Sequence, residues 1–294
     1  MVEFREYPKL IDSYGHTFPG IWDELEELGA LSGPWGVSTS AVRGILHQRW
    51  PEDIQAFVSN GMPEMVPVSV LAVLGAWRAQ GCTSYGLPRH LANWLAATPL
   101  PETFRPSVLE WLPEKAVHLR FENGAASLPL SEARPDVPRP VHGCFLRWVP
   151  EGELEGPALE LVLDLFPGML APVTVPMGTR TLGEALSRFS ERGVLEQQIV
   201  ERALRSTLQY ALFLASRSCE LTRCAGFDSD RAFGQWVQGD VEPEPRYVFN
   251  GRDPVRAMAV EYREIDNCPD ELIGRSVPGA WRMEAGRPRW VLEA

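Results

Sequence analysis

The first third of the chain carries apolar residues at helical spacing. This spacing predicts helices that begin near Ile21, Thr39, Pro51 and Leu87, each with one apolar face. The segment Val66–Gln80 is apolar on nearly every side, which predicts a buried central helix rather than a surface helix. Gly81 follows this segment and suits the left-handed backbone that commonly ends a helix. We therefore expect a helical region with its centre of burial at Val66–Gln80.

The middle third changes to a period of two. Ala116–Phe121 alternates apolar and polar residues, which predicts a half-buried strand with His118 on the face opposite its apolar neighbours. Further strands are expected at Val141–Val149, Leu159–Leu165 and Val173–Val175. Their short connections predict an antiparallel meander. Ser127–Pro140 is rich in proline and is expected to be a surface loop.

The last third returns to helical spacing. Thr181, with Glu184 three residues later, is close to a capping box. Leu195–Arg217 predicts a helix about 34 Å long whose second half is buried. The remaining sequence is rich in turn residues, with a strand expected at Arg246–Asn250 and a short helix at Pro254–Arg263.

Together these patterns predict an α+β fold with a helical N-terminal part, a central antiparallel sheet and a long buried C-terminal helix. We expect residues 1–112 to form the helical part and residues 113–294 the α+β part, packed as one compact unit. A chain of 294 residues with 45% hydrophobic residues can bury a core without disulfides or a metal.

The net negative charge of the chain disfavours some classes of function. A formal net charge of −11 disfavours broad contact with a phosphate backbone, although a local arginine patch stays open. Lys9 and Lys115 are the only lysines, and neither follows a glycine. The sequence therefore excludes a phosphate-binding loop of the Gly-Lys-Ser/Thr type and leaves two positions for a Schiff-base lysine.

The cysteines are expected to be free thiols. There are 5 of them without a Cys-x-x-Cys pair, and the first residues are charged, so we expect no signal peptide and a cytoplasmic location. His142, Cys144, Cys219 and Cys224 are soft ligands, but their spacing is unlike that of zinc sites, and buried inert thiols are the favoured interpretation. We expect no metal, no cofactor and no catalytic residue.

Two other features point to different classes of function. Glu151, Glu153 and Glu155 could hold magnesium in a metal-dependent nuclease, although a solvated loop is the favoured interpretation. The 10 tryptophans, several of them next to arginine, favour a binding protein. Tryptophan and arginine dominate the hot spots of protein–protein interfaces.

Several segments, in order along the chain, resemble a known family. The N-terminal ones are Leu71–Arg78 with its Gly75-Ala76-Trp77-Arg78, Leu100–Phe104, and Trp111-Leu112-Pro113. The later ones are Leu208–Leu214, Glu220-Leu221-Thr222, Arg246–Gly251 and Val255–Ile265. They are similar to the type V-A anti-CRISPR proteins that lower biosynthesis of the CRISPR nuclease. Cys268–Ala294 departs from the family, because it lacks the histidines of the family's basic tail.

The resemblance implies a non-enzymatic inhibitor, encoded on a phage or plasmid, that helps its carrier evade host defence. Such a protein binds the nascent CRISPR nuclease polypeptide and depletes its mRNA, so the implied partner is a protein, with indirect RNA or ribosome association and no membrane. The matching positions Trp77, Arg78, Tyr247, Arg256 and Tyr262 are the candidate partner-binding residues. For Trp77 and Tyr247 a place in the core is the favoured interpretation. The alternatives are the metal-dependent nuclease, and a phage or plasmid binding protein of the same fold with another protein target.

Overall fold

The chain folds as α+β, as predicted. This computed structural model describes residues 13–32, 36–87, 89–120, 126–129, 138–152, 156–165, 169–178, 181–190, 195–223, 248–249, 253–254, 256–262 and 279–292. Within that part of the chain, no helix combines the length and the hydropathy that a membrane crossing needs.

The helices of the first third begin and end close to their sequence signals. They are α1 (Ile21–Ser32), α2 (Thr39–Arg49), α3 (Pro51–Ser59) and α4 (Met65–Ala79). The Ser38 hydroxyl accepts a hydrogen bond from the Ala41 N–H at 3.1 Å and so caps α2. Gly81, with φ of 91°, lies just beyond the end of α4, in the backbone region that glycine tolerates best. The local signals were sufficient here because each of them acts within one helical turn.

The rest of the chain alternates strands and helices. Its elements are β1 (Thr83–Gly86), α5 (Arg89–Ala97), a 3₁₀ helix (Pro106–Trp111), β2 (Ala116–Arg120), β3 (Ala126–Pro129), β4 (Pro138–Gly152), β5 (Gly156–Leu165), β6 (Met169–Pro176), α6 (Leu182–Ser190), α7 (Leu195–Ala215), β7 (Cys219–Arg223), β8 (Val248–Phe249), β9 (Asp253–Pro254), β10 (Arg256–Tyr262), β11 (Gly279–Glu284) and β12 (Arg287–Leu292). The long helix α7 is followed by strands, so it is not the last element of the chain.

Among the described strands, the main sheet has the order β6-β5-β4-β2-β1-β10-β7, with β3 also paired to β4. The strand pairs β2–β4, β4–β5 and β5–β6 are all antiparallel, which agrees with the predicted meander. However, β1 is parallel to both β2 and β10, so the central sheet is mixed rather than antiparallel throughout. The physical reason is that β1 follows α4 directly, and the 3₁₀ helix and α5 form the crossover that a parallel neighbour requires.

The two ends of the proline-rich segment Ser127–Pro140 are strands rather than the expected loop, and residues 130–137 lie outside the described residues. Ala126–Pro129 forms β3 and the segment Pro138–Val141 opens β4, with Ser127 opposite Pro140 and Pro129 opposite Pro138. Proline removes one backbone donor, which a short strand at the end of a ladder tolerates.

The expected helix at Pro254–Arg263 is also wrong, because Arg256–Tyr262 forms the strand β10. This strand lies between β1 and β7, and its Val260 is fully buried. A short apolar run that is buried inside a sheet shows no period of two, so its sequence cannot be told from that of a helix.

Helices cover both faces of the main sheet. Helix α4 packs on β2, β4, β5 and β6 from one side, and α7 packs on β2 and β3 from the other. The strand β2 is consequently buried from Ala116 to Leu119, and not half-buried as expected. His118 does lie on the face opposite Val117 and Leu119, but that face meets α4 rather than water.

Candidate functional site

Trp77, the first candidate partner-binding residue, lies inside the molecule. Its side chain is 2% exposed, and its indole Nε1 donates a 2.6 Å hydrogen bond to the Thr83 carbonyl oxygen on β1. Its ring meets the Phe145 ring edge-on, with centroids 5.0 Å apart. Trp77 therefore joins the end of α4 to two strands of the sheet.

His118 occupies the same layer. Its ring stacks on Phe145 at 4.3 Å, and its Nδ1 lies 2.7 Å from the Ser84 Oγ in a hydrogen bond. Burial, helped by the charge of Arg120, lowers the pKa of His118 to about 3. The histidine is therefore neutral at physiological pH, and its full burial gives a substrate no route to the Ser84 hydroxyl.

Arg78, the second candidate, is held between two helices. Its Nη1 donates to the Trp22 carbonyl oxygen at 2.7 Å, and its Nη2 lies 3.3 Å from a Glu26 carboxylate oxygen, both on α1. The side chain is 9% exposed, which leaves little of the guanidinium for a partner. Arg78 thus fastens α1 to α4.

The two small residues before Trp77 serve the same packing. A Cβ added to Gly75 would lie 3.3 Å from the Leu25 side chain on α1. A Cβ added to Gly36 would lie 2.8 Å from the Cβ of Ala76 on α4. Small side chains at these positions let α1 and the segment before α2 approach α4 closely. The whole run Gly75-Ala76-Trp77-Arg78 therefore acts in packing in this structure.

A buried ion pair completes this side of the sheet. Arg147 on β4 donates from Nε to Glu160 on β5 at 3.0 Å, and from Nη2 to the same carboxylate. Its Nη1 donates to the Val37 carbonyl oxygen at 2.6 Å. This pair was not predicted from the sequence, because it depends on the antiparallel register, which places Arg147 directly opposite Glu160.

The remaining candidates lie on or next to β10. Arg256 begins that strand and is paired in register with Thr83, the residue whose carbonyl receives the Trp77 indole. Tyr262 ends the strand opposite Cys219, about 20 Å from Arg256 at roughly 3.3 Å per residue. Tyr247 lies outside the described residues. The fold thus brings Trp77 close to the backbone of Arg256. Tyr262, at the other end of β10, lies far from both residues.

The two ends of the main sheet differ as sites for an added strand. The strand β6 carries Pro172 and Pro176, which lack the backbone donors that a docking strand would use. The strand β7 contains no proline, and among the described strands it pairs only with β10. It also holds Glu220, which is exposed, and Leu221. Of the two edges formed by described strands, β7 is therefore the one whose backbone donors suit an extended peptide better.

The described residues show neither a group of metal ligands nor an accessible cysteine thiol among Cys82, Cys144 and Cys219. Within the described residues, no three His, Cys, Asp or Glu side chains are grouped as metal ligands. Cys144 and Cys219 are buried thiols, and burial raises the pKa of Cys144 far above its usual range. Of the other residues considered for zinc or magnesium, Cys224, Glu153 and Glu155 lie outside the described residues.

Comparison with known proteins is informative at the level of solved structures. No protein-family model matches the chain, and no curated protein matches its sequence. Among solved structures, the chain is similar to the crystal structure of AcrVA2, a type V-A anti-CRISPR protein, with a TM-score of 0.63 and 14% sequence identity over 96% of each chain. At this identity the likeness concerns the fold, and it runs almost from end to end: the chain has the fold of AcrVA2.

Proposed function

We propose that this protein is an anti-CRISPR-like inhibitor, encoded on a mobile element, that lowers production of a type V-A CRISPR nuclease by binding its nascent polypeptide. The observation that carries the proposal is the structural match to AcrVA2 over 96% of both chains. A match of this extent includes the helical part and the sheet together, so it is not the likeness of one common motif. The partner in this proposal is a protein of the CRISPR system.

The edge of β7 is where we place the nascent chain. A polypeptide leaving the ribosome is extended and has unpaired backbone groups, and a sheet edge recognises such a chain through main-chain hydrogen bonds. Glu220-Leu221-Thr222 lies in β7 and is also one of the segments that carry the family resemblance. The exposed Glu220 and the partly buried Leu221 would then supply side-chain selectivity next to the docked strand.

The candidate residues have an indirect part in this proposal. Trp77 and Arg78 are engaged inside the fold, so we assign them to positioning β1 and the helices. Arg256 and Tyr262 stand at the two ends of β10, the strand that supports β7. Substituting any of these residues would therefore affect partner binding indirectly, by shifting the edge strand β7.

The test is to recover nuclease mRNA with the tagged protein from cells that produce a type V-A nuclease. Binding to the nascent chain predicts that this mRNA co-purifies and that puromycin, which releases nascent chains, abolishes its recovery. Glu220→Lys in β7 should reduce the recovery, whereas Glu52→Lys, an exposed charge reversal on α3, should not. Recovery that survives puromycin would contradict nascent-chain binding and would indicate that the message itself is bound. Absence of the mRNA, with a different host protein captured, would support the same fold acting on another target.

A further inference from the structure

The C-terminal hairpin is built to present one face outward. Its strands β11 and β12 are joined by Ala285 and Gly286, both with positive φ (48° and 77°). Two consecutive residues with positive φ form the two-residue turn whose twist matches that of antiparallel strands. The side chains of the hairpin therefore alternate regularly between an inner and an outer face.

The inner face is anchored in the core. Trp290 is fully buried, stacks on Trp94 with centroids 6.2 Å apart, and donates from Nε1 to the Thr98 hydroxyl at 3.1 Å. Trp281, directly opposite Trp290, donates from Nε1 to the Gln209 side chain at 2.8 Å. These contacts hold the hairpin against α5 and α7, so its outer face has a defined orientation.

The outer face is rich in arginine. The register places Arg282 opposite Arg289 and Glu284 opposite Arg287. Arg289 forms an ion pair with Glu284 at 3.2 Å, while Arg282 is exposed. Like charges directly opposite each other destabilise a strand pair, and Glu284 is paired with only one of the two arginines, so the arrangement favours a negative group of a partner beside Arg282.

An exposed tryptophan lies at the turn end of the hairpin. Trp111 is 50% exposed, and the Arg287 guanidinium lies 5.5 Å from its ring centre. Arg287 is itself held by hydrogen bonds to the carbonyl oxygens of Ala215 at 2.7 Å and Ser216 at 3.1 Å, at the C-terminal end of α7. The exposed Arg217 adds another positive charge, and its backbone N–H donates to the Pro288 carbonyl oxygen. The tryptophan is thus an exposed apolar surface with positive charge beside it.

We propose that the outer face of the hairpin, together with Trp111, is a docking surface for an acidic polypeptide segment. Carboxylates of the partner lie at Arg282 and Arg289, and an apolar side chain of the partner packs on Trp111. Exposed tryptophan with arginine is the composition of protein–protein hot spots. A long polyanion such as RNA fits less well, because it needs a broad basic face, whereas this patch is small and suits a short acidic segment. The surface does not depend on the nuclease, so it can be tested apart from the proposed function.

The test measures fluorescence anisotropy of a short fluorescein-labelled peptide rich in glutamate and containing leucine, titrated with the full-length protein at physiological ionic strength. The wild-type protein should bind it, and Arg282→Glu should weaken binding by about tenfold or more. Trp111→Ser should also weaken binding, through loss of the apolar contact. Arg49→Glu, an equal charge change on an exposed arginine of α2, should leave the affinity within about twofold of wild type.

Far-UV circular dichroism and the melting temperature establish that each variant is folded. Arg282 is exposed, so its charge reversal is expected to fold normally. Absence of peptide binding by the folded wild-type protein would overturn the proposal. Equal losses in Arg282→Glu and Arg49→Glu would overturn it too, because the effect would then be one of net charge. If a single-stranded RNA of the same charge binds more tightly than the peptide, and Arg282→Glu abolishes that binding, the surface recognises a nucleic acid and the proposal is wrong.

Discussion

The two faces of the main sheet are covered in different ways. On one face, α4 uses Trp77 and Arg78 for contacts to β1 and α1, with the Arg147–Glu160 pair buried nearby. On the other face, α7 packs against a hairpin whose tryptophans face the core and whose outer side includes the exposed Arg282 and Glu284. The segment that carries the family resemblance most clearly is thus used for packing. The exposed Arg282 lies in Cys268–Ala294, where the chain departs from the family, whereas the exposed Trp111 lies in one of the segments that resemble it.

Substituting one tryptophan on each face should give the largest contrast. Trp77→Ala removes a buried ring and is expected to lower the free energy of unfolding by about 3–5 kcal/mol. Trp111→Ala removes a half-exposed ring with one cation–π contact and should cost about 1 kcal/mol or less. Urea unfolding of both variants measures the difference. Equal losses would mean that the burial contrast between the two faces does not hold in solution.

The buried ion pair gives a second way to examine the α4 face. Glu160→Leu alone leaves the Arg147 guanidinium without its carboxylate, and we expect a loss of about 3–5 kcal/mol. Replacing both residues, by Arg147→Met with Glu160→Leu, should recover much of that loss because no buried charge remains. The thermal midpoints of the single and double variants provide the comparison. A double variant less stable than the single one would show that the Val37 contact of Arg147 matters more than its charge pair.

A pair of glycine substitutions examines how tightly the hairpin is seated. A Cβ on Gly279 would lie 2.3 Å from the Trp290 ring, so Gly279→Ala should destabilise the protein by about 1–3 kcal/mol. Gly44→Ala in α2 meets open space and should instead stabilise by about 0.5–1 kcal/mol. Chemical denaturation separates the two, since the predicted signs are opposite. A neutral Gly279→Ala would indicate that the hairpin is looser than its contacts imply.

The last prediction is the pH dependence that His118 gives to the stability of the fold. Because its folded pKa is about 3 and that of the unfolded chain is near 6.5, the unfolded state gains a proton first as the pH falls. Stability should therefore decrease from about pH 6.5 downward, by at most about 1.4 kcal/mol per pH unit from this residue. The double variant Ser84→Ala with His118→Phe removes both partners of the buried hydrogen bond and should have a shallower slope. Unfolding curves collected across this pH range would contradict the assignment if the two slopes agree.

Local signals in the sequence predicted one part of the fold well. Helices α2 and α3 begin at Thr39 and Pro51, close to the predicted starts, because a cap or a first-turn proline acts on its own helix. The buried state of Trp77 also agrees with the favoured interpretation, since an apolar helix is buried on all sides.

The errors came from interactions between distant segments. His118 alternates with apolar neighbours, and only the packing of α4 on its face makes it a buried residue. The strand β10 owes its conformation to pairing with Thr83–Gly86, far earlier in the chain. The hairpin at Gly279–Leu292 was missed because its Ala-Gly turn lacks the asparagine or aspartate that usually marks such turns. The Arg282–Arg289 pair becomes visible only once that register is known.

The most direct test of the proposed function is the amount of type V-A nuclease in cells that also produce this protein. The nuclease protein and its mRNA should both fall, relative to cells with an empty vector. A matched nuclease gene with an early stop codon makes the message without the polypeptide, and its mRNA level should not change. Unchanged nuclease protein and mRNA, with the inhibitor present and folded, would contradict the proposal.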